Sequence, residues 1–176
     1  MDVNDLYKKV DEFDNRIRPE AKALSQCRSG CSRCCYTDIS VFSVEADNIR
    51  QWFSQLTISQ QSDLWSKWSQ SLAQKMNFRG DTVSSCTFLH DEHCTIYEAR
   101  PLICRTQGMA FRFREDSEEY VDVCTLNDGM LDELLDSEFV NLDLLNSILG
   151  AMAGEGERVS LMDLRKVLFN SKNSMA

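Results

Sequence analysis

Eight cysteines, seven of them gathered into two blocks, constrain this chain more than any other feature of its sequence. They run Cys27-x3-Cys31-x2-Cys34-Cys35, then Cys86-x7-Cys94-x9-Cys104, and finally Cys124. The leading segment MDVNDLYKKVDEFD is charged throughout and lacks the apolar run of a secretory signal, so a cytoplasmic, reducing setting is expected. In that setting clustered thiols point to metal ligation or redox chemistry rather than to crosslinks. Cysteine also serves as a small buried hydrophobe, but that role would suit scattered singletons better than grouped residues.

The rest of the composition narrows the classes of function. With 176 residues, 43% of them hydrophobic, the chain can bury a core without staples and is expected to form a single domain. Lys and Arg number 19 against 28 Asp and Glu, a net charge of -9 that repels phosphate backbones. No apolar run approaches the roughly 20 residues of a membrane span. Nucleic acid and membrane are therefore not expected partners, whereas a metal ion is. There is no Ser-His-Asp pattern and no glycine-rich phosphate loop to suggest another chemistry.

Apolar spacing organises the chain as α+β, mostly helical, with short hairpins carrying the cysteines. Residues 1–24 read as an N-terminal helix, 25–128 as a cysteine-rich core with a helical insert over 43–78, and 129–176 as a helical segment on the same domain. Val3, Leu6, Val10, Phe13 and Ile17 fall at helical spacing ahead of Pro19. Ile39–Phe42 reads as a strand and Ser43 as the cap of a helix through Leu56. Thr57 and Gln60 resemble a capping box opening a helix that carries Leu64, Trp65, Trp68, Leu72 and Met76. Trp52, Trp65 and Trp68 fit a core rather than a ligand box. Cys86–Leu89 and Cys94–Tyr97 read as hairpin arms around the tip His90–His93, and Pro101 as the opening of a short helix. Residues 109–114 alternate as a strand and turn at Asp116-Ser117 into a second one over Tyr120–Cys124. A helix is expected from Met130 to Met152, with a break near Ser137, and a capped one from Ser160 to Phe169.

Short Cys-x2-Cys and Cys-x3-Cys loops can aim two sulfurs at one ion. Thiolates are soft ligands, which leaves zinc, iron as a cluster, or Cu(I). On an extended backbone the adjacent Cys34 and Cys35 would point to opposite sides, favouring two sites or a polynuclear centre over one tetrahedral zinc. Eight thiols divide into two sets of four, or into one set and spares. Four thiolates around a divalent cation leave excess negative charge, so nearby arginines are candidates for hydrogen bonds to the site: Arg100 and Arg105 first, then Arg28 and Arg33. His90 and His93 flank a cysteine but sit at a polar tip, which favours solvent over ligation. Tyr97 suits packing, and Glu45 a helix cap or an ion pair.

These motifs, above all Cys94-Thr-Ile-Tyr97-Glu-Ala-Arg100-Pro101-Leu-Ile-Cys104-Arg105, resemble the YkgJ family, proteins of CxxCxxCC type proposed to chelate zinc or iron. The resemblance runs from Cys27 to Cys124 and implies that all eight cysteines, Cys27, Cys31, Cys34, Cys35, Cys86, Cys94, Cys104 and Cys124, are metal ligands. A related domain accompanies flagellin lysine N-methylases, so the resemblance also admits iron–sulfur chemistry. The expected function is thiolate binding of zinc or iron, with an iron–sulfur protein of redox, electron-transfer or methyl-transfer-associated role as the alternative. Cys27-x3-Cys31-x2-Cys34 matches radical-SAM spacing, but those loops follow the first strand of a large barrel, and here a helix precedes it. An adaptor or metal store using the acidic segment after Leu131 is a third reading.

Overall fold

The first helix begins where two aspartates exchange hydrogen bonds. Asp2 accepts the Asp5 N–H at 2.8 Å, and the Asp5 carboxylate accepts the Asp2 N–H at 3.1 Å. This capping box opens α1, Val3–Asp14, which buries Val3, Leu6, Tyr7 and Val10 on one stripe. The helix stops short of Ile17, because Pro19 opens a helix of its own, α2 (Pro19–Lys22). The computed structural model describes residues 2–28, 30–37, 39–70, 75–78, 81–154 and 157–170, with backbone only for 75–78 and 81.

In chain order the remaining elements are β1 (Ser40–Phe42), α3 (Ser43–Gln55), α4 (Ile58–Gln70), β2 (Lys75–Phe78), β3 (Asp81–Ser84), β4 (Leu89–His90) and β5 (His93–Cys94). They continue with α5 (Leu102–Arg105), β6 (Phe111–Glu115), β7 (Glu118–Asp122), β8 (Val140–Asn141), α6 (Leu142–Met152), β9 (Arg158–Ser160) and α7 (Leu161–Asn170). The class is α+β, as expected, with helices and small sheets. The chain divides into two units, Met1–Ser29 with Leu102–Glu155 and Gly30–Pro101 with Gly156–Ala176.

In the second unit β1 pairs antiparallel with β9, Ser40 opposite Ser160 and Phe42 opposite Arg158. Sequence reading missed β9, since three residues leave no visible period. Ser43 is the first helical residue of α3 rather than its cap; the cap is Phe42, whose N–H is taken by the Glu45 carboxylate at 3.1 Å. Thr57 and Gln60 do exchange hydrogen bonds ahead of α4. That helix is described as far as Gln70, and Met76 lies on β2, which pairs antiparallel with β3. β-branched Thr82 and Val83 favour that pairing over a longer helix; Leu72 lies outside the described residues. Trp65 and Trp68 are buried among Ile49, Phe53, Phe88, Ile96, Leu161 and Leu164, with Trp52 packed at the margin. Trp68 stacks on Phe53 at 5.6 Å, meets Phe88 edge-on at 5.3 Å, and donates from Nε1 to Thr95 Oγ1 at 2.8 Å.

In the first unit β6 is central, antiparallel to β7 and parallel to β8. Asp116 and Ser117 both take positive φ, 48° and 71°, forming a two-residue turn that matches strand twist. β7 starts at Glu118 and ends at Asp122, so Cys124 lies beyond the strand rather than in it. The helix expected from Met130 is confined to Leu142–Met152; before it the chain forms 3-10 turns and β8. Two caps interrupt it. Asn141 accepts the Leu144 N–H at 2.8 Å, and Glu138 accepts the Leu135 N–H at 2.9 Å.

Glu138 also accepts the Arg18 backbone N–H at 2.8 Å and the Arg18 guanidinium at 3.1 Å, its side chain only 7% exposed. The guanidinium hydrogen bonds, followed by the two backbone N–H groups, hold this carboxyl down at about 2. An unfolded Glu titrates at about 4.3, so the contribution is complete above that pH and is lost as pH falls toward about 2. Glu138→Gln is therefore expected to lower the urea midpoint at neutral pH and to flatten its decline across that acid window. Trp68→Ala is expected to cost about 3–5 kcal/mol in urea unfolding, through the cavity and the lost partner for Thr95.

Candidate metal centre

The first cysteine block ends in a 3-10 turn, Arg33–Cys35, not in extended backbone. The expectation that Cys34 and Cys35 point to opposite sides fails for that reason: a tight turn rotates successive side chains only partway round the axis. The two residues are neighbours on this turn, and each side chain shifts the ionisation of the other. The Cys35 side chain, aided by the Arg100 charge, draws Cys34 down to about 7, while the Cys34 side chain, burial and the neighbouring Cys86 and Cys94 push Cys35 up. Burial pushes Cys94 up to about 11, against the pull of the Ile96 N–H and Arg100. Cys86 and Cys94 both lean on the tryptophan core. Four sulfurs from two distant sequence blocks therefore sense one another.

Backbone and carboxylate contacts bring these blocks together. The Cys86 N–H donates to the Cys35 carbonyl at 2.5 Å. Ser32 Oγ and Tyr36 OH both donate to the Glu92 carboxylate. Glu92 stands at the tip of the β4–β5 hairpin, where Asp91 and Glu92 take φ of 48° and 60°. The hairpin tip is thus a clasp for the Cys31–Cys35 loop, a role its polar sequence did not announce. Thr95 steadies the return strand by donating from N and Oγ1 to the Phe88 carbonyl. His90 and His93 face each other across the hairpin. His90 lies 3.4 Å from Asp91, and exposed His93 meets the Asp91 carbonyl at 2.5 Å.

Arg100 donates from Nε to the Tyr97 carbonyl at 3.0 Å and lies 3.5 Å over the Tyr97 ring, its charge acting on Cys34 and Cys94. Tyr97 is a platform for that guanidinium. Arg105 instead lies over Tyr7 at 4.5 Å and pairs with Asp11 at 3.2 Å. Arg28 and Arg33 are exposed. Sequence reading missed Arg165: it donates to the Trp68 carbonyl at 2.8 Å, and its charge interacts with Cys86. Burial lowers its basicity and Cys86 restores part of it. The only signal in the sequence was a basic residue on an amphipathic helix far from any cysteine.

Cys27, Cys104 and Cys124 belong to the other unit. Their local organiser is Asn127, fully buried, which accepts the Gln26 N–H at 2.8 Å and donates to the Gly108 carbonyl at 3.0 Å. It also donates to Cys27 Sγ at 3.5 Å, and its own N–H reaches the Cys124 carbonyl at 2.6 Å. One residue, through its side-chain amide and its backbone N–H, thus ties three cysteine-bearing segments. Gly108 has φ +94°, and a Cβ there would stand 2.6 Å from Cys27 Sγ.

All eight cysteines are described, and no disulfide joins any of them. Among the described residues, no group of three or more His, Cys, Asp or Glu side chains is arranged so that it could hold a metal ion as they stand. The donor type, eight free thiols, suits a soft cation. The class so defined is an α+β protein with clustered thiols. A family model, CxxCxxCC, described as "Putative zinc- or iron-chelating domain", matches residues 26–125, a span that includes all eight cysteines. The chain belongs to that family, and the match supports binding of zinc or iron. No curated protein and no solved structure matches the chain.

Gly108→Ala is expected to destabilise the protein by about 1–3 kcal/mol in urea unfolding, from positive φ and from crowding of Cys27. Asn127→Ala is expected to cost about 1–3 kcal/mol by leaving buried polar groups without partners.

Proposed function

We propose that the chain is a thiolate metal-binding protein in which Cys34, Cys35, Cys86 and Cys94 hold zinc or iron through sulfur. The observation that carries this reading is the Cys86 N–H to Cys35 carbonyl hydrogen bond, which joins the Cys34–Cys35 turn to the block in which Cys86 and Cys94 pack on one core, with Arg100 and Arg165 as the cations whose charge acts there. Four thiolates on a divalent cation form a doubly negative group, which is costly beside an apolar core unless cations stand near. Two guanidinium groups supply the matching charge. Ligation requires Cys35 to release its proton and the sulfurs to rotate inward about their side-chain torsions. Cys27, Cys31, Cys104 and Cys124 complete the proposed pool of eight ligands.

A bound ion would neutralise the thiolates and lock the two loops, and so act chiefly as a structural element. Apparent zinc affinities of thiolate peptides, about 10–16 kcal/mol, rival a whole domain's stability of about 5–15 kcal/mol. The adjacency of Cys34 and Cys35 on one 3-10 turn favours a second reading in which a polynuclear iron–sulfur centre takes both. Such a centre would supply redox or electron-transfer capacity.

Elemental analysis and an absorption spectrum of anaerobically purified protein test both readings. Colourless protein with stoichiometric zinc is expected for the first; iron, acid-labile sulfide and visible absorption select the second. Cys34→Ser and Cys86→Ser are each expected to reduce metal content and urea midpoint together, and unchanged stoichiometry in both would remove them as ligands. Stripping metal with a chelator is expected to loosen the Gly30–Pro101 unit, read as faster amide exchange around Trp68.

A further inference from the structure

We propose that β7 is a docking edge for an extended, basic segment of a partner protein, which joins the sheet as a fourth strand. β7 is the outer strand of the order β7-β6-β8, and all five of its residues are exposed. Which of its backbone groups point outward follows from the turn at Asp116-Ser117. In a two-residue hairpin the flanking residues, here Glu115 and Glu118, exchange both hydrogen bonds, and bonded pairs recur at every second residue. Glu118, Tyr120 and Asp122 therefore bond to β6, while the N–H and C=O groups of Glu119 and Val121 face away from it. The far side of β6 agrees, since the Ala110 carbonyl and the Arg114 N–H turn to Val140 and Asp143 as this alternation requires. Among the described residues nothing pairs with the outward groups of Glu119 and Val121. Such a row of unpaired donors and acceptors is a template for strand addition.

Charge decides the occupant. Glu115 stands directly opposite Glu118, and like charges in a cross-strand pair repel. Among the described residues no cation pairs with Glu115, Glu118 or Asp122, whereas Glu119, on the other face, shares Arg112 with Asp136. A lysine set beside Glu118 relieves that repulsion, and a second one meets Asp122. Between them Tyr120, 41% exposed and stacked on Phe113 at 5.8 Å, and Val121, 49% exposed, offer apolar surface. A second copy of this chain is the wrong occupant, because two β7 strands paired antiparallel about Tyr120 set Glu118 against Asp122 twice. The carboxylates thus repel the chain's own edge and admit a strand with basic residues opposite Glu118 and Asp122 and apolar ones opposite Tyr120 and Val121.

The probe is a fluorescent peptide, Ser-Lys-Val-Val-Lys-Lys-Ser, capped at both ends and offered to the full chain at low ionic strength, with binding read by anisotropy and its place by amide exchange. Slower exchange is expected at Glu119 and Val121, with Glu118 and Tyr120 unchanged because they already bond to β6. The same peptide N-methylated at the backbone of its first Val and middle Lys keeps every charge but loses the donors that face β7, and is expected to bind about tenfold more weakly. Val121→Pro removes an outward donor and leaves the β6 bonds in place, and is expected to weaken binding about tenfold. Glu118→Gln combined with Asp122→Asn is expected to weaken it about fivefold. The methylated peptide tests the contact without altering the protein. No binding of the basic peptide, equal binding of its methylated form, equal binding of a version with glutamate for each lysine, or protection confined to other amides would each overturn the proposal. So would a wild-type dimer that dissociates in Val121→Pro, since the edge would then belong to a second copy.

Discussion

A backbone hydrogen bond from the Cys86 N–H to the Cys35 carbonyl joins two stretches of chain that sequence separates widely. The chemistry of the thiols follows from this join. It sets Cys86 and Cys94 near the Cys34–Cys35 turn, and the electrostatic coupling among these four sulfurs is the result. Buried backbone groups must find partners, so the contact is also a steric registration of one loop against the other. Glu92 reinforces it by taking hydroxyl hydrogen bonds from Ser32 and Tyr36. The hydrophobic core acts from beneath: Trp68 anchors Thr95, and Thr95 holds the strand that ends in Cys94.

Charge is distributed around the thiols by elements that have little else in common. Arg100 is held flat on Tyr97 within the second cysteine block, whereas Arg165 reaches Cys86 from a helix near the far end of the described chain. Arg105, adjacent in sequence to a cysteine, is engaged with Asp11 and Tyr7. Arg165, remote from every cysteine in sequence, thus acts on one through the fold. The reason is geometric: a guanidinium stands at the end of a long side chain, and its direction is set by the element that carries it.

Much of the architecture was legible where local rules suffice. The apolar stripe of α1, the Thr57–Gln60 cap, the tryptophan core and the turn at Asp116-Ser117 each follow from residues within a few positions of one another. What could not be read depends on long-range pairing. Strand β9 exists because β1 needs a partner, and β8 exists because β6 does. The stretch before α6 resisted a helical reading because Glu138 turns its carboxylate to Arg18 and Leu135. At the thiols, the cysteine spacing pointed to the family that matches, but not to the 3-10 turn that carries Cys34 and Cys35, nor to the buried Asn127 amide beside Cys27.

The pairing of β1 with β9, Ser40 against Ser160, has a consequence for how the protein is made. A ribosome releases the chain in order, and a domain closes only when its last required segment has emerged. Leu161, Leu164 and Leu168 belong to the same cluster as Val41, Ile49 and Trp68, so that cluster stays open until translation has passed α7. Cys34, Cys35, Cys86 and Cys94 are all synthesised well before then. For that interval the nascent thiols stand in contact with the surrounding medium, and whichever soft ion is abundant there has first access to them.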